Sequence, residues 1–325
     1  MTDTSGAGLS GQCLTDAHFP ELPGFYRGKV RDTYHLPDGR QVMIATDRQS
    51  AFDKVLAAVP NKGQVLNQTA KFWFEATADI CPNHVLSYPD LNVVIARHLE
   101  MMPIEMIVRD YMTGSTETSI WTMYQRGERV LYGHQFADGL VKNQKLPETI
   151  LTPTTKGERD APITAPEIVA EGLLSQADWD TAAKISFKLF ARGREIAAKN
   201  GLILVDTKYE FGFDPDGRIT VADELHTPDS SRYWKQASYH ERLAAANEPE
   251  GLDKEFLRLW VRERCDPYTE PVPVIPDETL TEFSQKYVAL YEAVTGQPFE
   301  YAAADAAIVE RIRTNLAQAL PEYFS

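Results

Sequence analysis

A two-lobed α+β fold is predicted for this chain of 325 residues by three features: strand-like segments crowd the first third, a charged β-hairpin fills residues 202–234, and the last quarter reads as helices. The expected division is a tail over 1–24, a β-rich lobe over 25–108, a larger α/β lobe over 109–250 and a helical extension over 251–325, packed outside the cleft between the lobes.

After a Gly/Ser-rich start, residues 25–36 and 41–46 read as strands joined at Pro37-Asp38-Gly39, where proline presets φ and glycine permits the return. Residues 65–79 carry Val65, Leu66, Phe72, Trp73 and Ala76 at helical spacing, and 93–97 and 104–109 are apolar enough for further strands. A helix is expected after Gly114-Ser115, with Ser115 or Thr116 as N-cap and 118–124 inside it. From 133 to 166 the chain is rich in Pro, Thr, Gly and Lys without a period, so it is expected to be a long connection that covers the cleft. Helix returns over 176–199, with a stripe of Trp179, Ala183, Leu189, Phe190 and Ile196 that Asn200-Gly201 ends. Beyond Trp234, helices are expected near 254–263, 278–294 and 305–320.

The hairpin carries the chemistry. Period two puts Ile203, Val205, Thr207, Tyr209 and Phe211 on one face and Asp206, Lys208 and Glu210 on the other, together with Leu202 and Leu204. Asp214-Pro215-Asp216-Gly217 supplies the turn, so 218–225 should return antiparallel. With Phe213 opposite Arg218, Lys208 faces Asp223 and Glu210 lies diagonal to it, close enough for both carboxylates to reach one hard cation. A bulge at Gly217 puts Glu224 there instead. The apolar opening LILV marks a central strand, and half-buried carboxylates in one need a partner.

With 43% hydrophobic and 25% charged residues, the composition is that of an ordinary globular protein. A net charge of −14 disfavours nucleic acid and anionic membrane as partners and leaves small molecules. Cys13, Cys81 and Cys265 lack disulfide or zinc spacing, and neither a secretory leader nor a membrane-length apolar run is read, so a cytoplasmic location is expected. Monomer and homo-oligomer both stay open.

Taken together, GKVRDTY, TDRQSAFD, NKGQVLNQ, PIEMIVRDYMTGS, KNQKLPETILTPTTKG, LILVDTKYEFG and ADELHTPDSSRYW resemble, in this order, the SAICAR synthetase family over roughly residues 25–234. The resemblance implies an N-terminal nucleotide lobe and ATP-dependent amide formation between carboxyaminoimidazole ribotide and L-aspartate, with Mg2+. By the same resemblance Lys29, Arg31 and Lys156 would hold ATP phosphates. Glu210 and Asp223 would be the magnesium-associated carboxylates, with Asp206 and Lys208 beside them as catalytic residues. Arg109, Ser115, Ser231 and Arg232 would grip the ribotide phosphate. Asp229 and Asp160 fall near acids that would orient the aspartate or the imidazole.

Overall fold

The computed structural model describes residues 13–52, 54–157, 160–302 and 307–324. Strands β1 (Phe25–Arg27), β2 (Arg31–His35) and β3 (Arg40–Ala45) are followed by the ribbon β4 (Arg48–Ala51) and β5 (Lys54–Ala58), helix α1 (Lys62–Ala76), β6 (Val85–Asp90) and β7 (Val93–Arg97). An antiparallel sheet of order β1-β2-β3-β7-β6 forms the N-terminal lobe. Residues read as a tail belong to this lobe: Leu14, Ala17, Phe19 and Leu22 are buried against Tyr34, Val42 and Ile95. The reason lies in the sheet, whose second face needs an apolar cover, and in Asp32 of β2 and Asp47 just past β3, which accept from the backbone N–H of Ala17 and Leu14.

The second lobe comprises β8 (Glu100–Met101), β9 (Ile104–Tyr111), α2 (Ile120–Gln125), β10 (Val130–Leu131), β11 (His134–Gln135), β12 (Lys145–Leu151), β13 (Thr154–Thr155), α3 (Ala165–Ala170), α4 (Gln176–Lys199), β14 (Leu202–Phe213), β15 (Ile219–Ala222) and β16 (Ser231–Lys235). Helices α5 (Gln236–Ala244), α6 (Glu255–Arg262), α7 (Asp277–Thr295) and α8 (Ile308–Ala319) follow. The expected start of the last helix at residue 305 lies outside the described residues. Among the described residues no helix is long and apolar enough to cross a membrane.

Twelve-residue β14 is the spine of a seven-stranded sheet. It pairs with β16 over 202–207, with β9 over 206–209, and with β15 and β8 within 210–213. Helix α4 packs Leu189 and Phe190 onto it, each contributing about 1.5–3 kcal/mol by burial.

Three local expectations are corrected. The connection over 133–166 is not without secondary structure: it carries β11, β12 and β13, of which β12 and β13 pair with β9, and among its described residues Lys156, Gly157 and Asp160 line the cleft. Helix α2 begins at Ile120 after Ser119, while Ser115 is buried in the preceding turn, where Gly114 takes φ 111 close to Arg232. The alternation along β14 is broken, since Leu204 pairs with Tyr233 and Asp206 with Arg232, leaving Val205 as a bulge. Leu202 and Leu204 therefore join Tyr209 and Phe211 in the main core, while Val205 packs with Tyr111, Trp234 and Tyr239.

The hairpin takes the alternative register. Phe213 pairs with Ile219 and Glu210 with Ala222, because Gly217 at φ 75 adds a residue to the turn. The strand stops at Ala222, and Asp223 turns left-handed at φ 59. Asp223 and Glu224 thereby both reach Arg31, across the two lobes.

Candidate active site

A cleft of about 870 Å³ opens over the polar face of β9 and β14 and is closed on the other side by the N-terminal lobe. Strand pairing accounts for its first feature. Arg109 and Arg232 are the cross-strand partners of Asp206 on β9 and β16, so three charged residues stand in a row across the sheet. Asp206 accepts from Arg109 Nη1 at 2.9 Å and from Arg232 Nη1 at 2.6 Å. Arg109 also donates from Nε to Thr152 at 2.8 Å, and Arg232 donates to Glu255 on α6. Burial pulls Arg109 below its usual range, with Asp206 opposing; Arg232 is held above its range because Asp206 and Glu255 outweigh burial. Arg258, four residues after Lys254, also lines this end of the cleft. The Nε–H groups of Arg232 and Arg258 are buried without a partner among the described residues, so donors remain for an anion.

The second feature lies two and four residues further along β14. Lys208 Nζ donates to Glu105 at 2.6 Å and to Glu210 at 2.7 Å, and Lys156 also pairs with Glu210. Burial disfavours the Lys208 ammonium, but Glu210, Glu105 and Asp223 outweigh it and hold the pKa well above its usual value. Glu210 is held low despite burial by Lys208 and Lys156, whereas Asp223 is pushed up by burial and by the charges of Glu210 and Glu224, against Arg31. Four carboxylates, Glu105, Glu210, Asp223 and Glu224, thus crowd around three cations, Arg31, Lys156 and Lys208. Among the described residues, no group of three or more His, Cys, Asp or Glu side chains is arranged to hold a metal ion unaided.

Most sequence-derived candidates gather here. Lys29, Arg31, Lys156, Arg109, Asp160, Asp206, Lys208, Asp223, Asp229 and Arg232 line the cleft. Glu210 lies behind the ammonium groups of Lys156 and Lys208. Ser231 is turned away, its hydroxyl donating to Thr207 at 2.7 Å, and Ser230 lines the cleft in its place. Asp229 is clamped by Lys62 and Tyr287.

Glu105, Glu224, Ser230, Lys254 and Arg258 also line it. Glu105 was open to discovery through its period-two spacing from Arg109. Lys254 and Arg258 have helical spacing, but their direction depends on where α6 docks. The helical extension is therefore not merely external: Arg262 donates to the Ser115 carbonyl, Lys54 to the Pro267 carbonyl, and Lys254 and Arg258 form one wall.

A two-lobed α+β fold whose cleft sets a guanidinium cluster beside a crowded carboxylate–lysine cluster defines an enzyme with a charged small-molecule cleft between its lobes. The family model for SAICAR synthetase matches residues 24–275. The chain belongs to the SAICAR synthetase family and is a carbon–nitrogen ligase with that family's general activity. It is 55% identical over 306 residues to a putative phosphoribosylaminoimidazole-succinocarboxamide synthase 2 of Mesorhizobium japonicum, covering 93% of this chain and 98% of that one. It is 52% identical over 306 residues to a phosphoribosylaminoimidazole-succinocarboxamide synthase of Legionella pneumophila, covering 94% and 97%. Among solved structures, a SAICAR synthase from Saccharomyces cerevisiae complexed with SAICAR matches with a TM-score of 0.76 at 30% identity, covering 89% of this chain and 100% of that one.

Proposed function

We propose that the enzyme joins carboxyaminoimidazole ribotide to L-aspartate using ATP and Mg2+, releasing ADP and phosphate. The observation that carries this reading is the placing of the guanidinium cluster and the carboxylate–lysine cluster along one face of β14. A ribotide phosphate suits the first, because Arg109 and Arg232 present planar forks whose orientation Asp206 and Thr152 fix. Asp206 then acts by aiming the guanidinium groups.

The second cluster fits Mg2+ carried by a nucleotide. Mg2+ ordinarily takes one or two protein carboxylates and completes its shell with phosphate oxygens and water. Glu210 and Asp223 are the carboxylates that would hold it, and the repulsion among Glu210, Asp223 and Glu224 is what a divalent cation relieves. Lys29 and Arg31, at the β1–β2 turn, would face the polyphosphate. Bound Mg-ATP would supply the phosphoryl group that makes a carboxylate oxygen able to leave.

The chain's own residues supply position and charge. Lys208, kept protonated by its two glutamates, would stabilise negative charge developing on the activated carboxylate. Asp229 and Asp160 would meet the amine side of the reaction. ADP release should require ribotide, L-aspartate and Mg2+ together; turnover that persists without the amine would identify a kinase and sink the ligation reading.

A further inference from the structure

The structure assigns Lys62 and Tyr287 as positioning residues that aim the Asp229 carboxylate into the cleft, one from the N-terminal lobe and one from the C-terminal extension. Lys62 opens α1 directly after left-handed Asn61 and is fully buried. Its Nζ lies 2.9 Å from Asp229 Oδ2. Tyr287, fully buried on α7, donates its hydroxyl to Asp229 Oδ1 at 2.6 Å. Asp229 thus spends one acceptor position on each oxygen and keeps further acceptor capacity at the cleft wall it helps to form.

The surrounding turn does not depend on this clamp. Thr227 N donates to Ser230 Oγ at 3.1 Å, Ser231 N to the Thr227 carbonyl at 3.0 Å, and Lys208 N to the Ser230 carbonyl at 2.9 Å. A buried ion pair is also weak evidence for stability, since apolar residues of equal volume often serve as well. What Lys62 and Tyr287 add is a carboxylate fixed in direction and in charge.

The groups around Asp229 are Lys62 of α1, Tyr287 of α7, Lys254 ahead of α6 and Arg31 of β2, with Glu224 and Asp253 near Tyr287. Burial pushes the Asp229 pKa up, but Lys62, Lys254 and Tyr287 outweigh it and hold it well below the usual carboxylate range. A carboxylate so weakly basic orients an N–H group and does not take its proton. Under the ligation reading, on which this role rests, that group is the attacking amine of L-aspartate.

The test pairs Tyr287→Phe and Lys62→Met with the wild type. NMR titration of 13C-labelled aspartate carboxyls, assigned through Asp229→Asn, should show Asp229 titrating about one unit higher in Tyr287→Phe than in the wild type. The acid limb of kcat should rise by about the same amount, and KM for L-aspartate by about tenfold, with KM for ATP unchanged. If Lys62→Met does not fold, Tyr287→Phe decides alone. An unmoved Asp229 titration, or a moved one with unchanged pH profile and KM, overturns the assignment. A wild type that makes no ADP from ribotide and L-aspartate overturns the ligation reading and the amine role, and the NMR titration then separately upholds or refutes the control of Asp229 charge.

Discussion

The two ends of the polar face of β14 are four residues and about 13 Å apart, yet they have opposite character. At Asp206 both flanking strands supply arginine, Arg109 from β9 and Arg232 from β16, so one carboxylate serves two guanidinium groups. At Glu210 the neighbour on β15 is Ala222 and the nearby acids are Glu105, Asp223 and Glu224. Between these points β14 exchanges β16 for β15. A single strand makes an arginine-rich end and an acid-rich end by changing its partner, not its own pattern.

Removing the central carboxylate at each end is the strongest way to break this contrast. Asp206→Ala takes its carboxylate partner from Arg109, whose side chain is only 7% exposed, and leaves Arg232, 11% exposed, with Glu255, and should cost about 3–5 kcal/mol in urea unfolding. Glu210→Ala should cost about 1 kcal/mol or less, because Lys156 is 42% exposed and Lys208 keeps Glu105. Equal losses would mean that the two ends do not differ in how firmly their charges are buried.

Substrate affinity should separate the ends next. Arg232→Met is expected to raise KM for the ribotide about a hundredfold while leaving nucleotide affinity, measured by calorimetry, within about twofold. Arg31→Met should show the reverse pattern, and a matching loss for both ligands in either variant would refute the division.

A smaller effect comes from Lys254, which lines the cleft and is pushed down to about 8 by burial and by Arg258. As pH rises through 8, Lys254 loses its proton and the cleft loses one positive charge. The kcat/KM for the ribotide should therefore fall about tenfold by pH 9.5, and Lys254→Met should abolish that limb. An alkaline limb surviving in Lys254→Met would assign it to another group.

The polar face of β14 was legible because period two is local, and α4 was legible to the residue because its stripe and its Asn200-Gly201 end are local too. Which charge each end would favour was not, since Asp206 meets Arg109 across 97 residues of chain. Strand β12 was hidden by Pro147, a residue that argues against a central strand but is tolerated at the sheet edge where β12 lies. The helical period of the extension was readable, whereas the direction of Lys254 and Arg258 became meaningful only once α6 docked beside Arg232.

Val205 has a consequence for anyone who edits or transplants this strand. It acts as a frameshift in side-chain parity: the four residues before Asp206 are written in one frame and those after it in the other. Deleting it would restore a tidy alternation on paper. In the folded chain, the deletion would make Leu204 and Asp206 ordinary neighbours opposite Tyr233 and Arg232, keep Leu202 and Leu204 in the core and Asp206, Lys208 and Glu210 on the cleft side, and lose the packing of Val205 against Tyr111, Trp234 and Tyr239. The charged stretch therefore keeps its facing without its odd residue, whose part is the apolar contact with Tyr111, Trp234 and Tyr239.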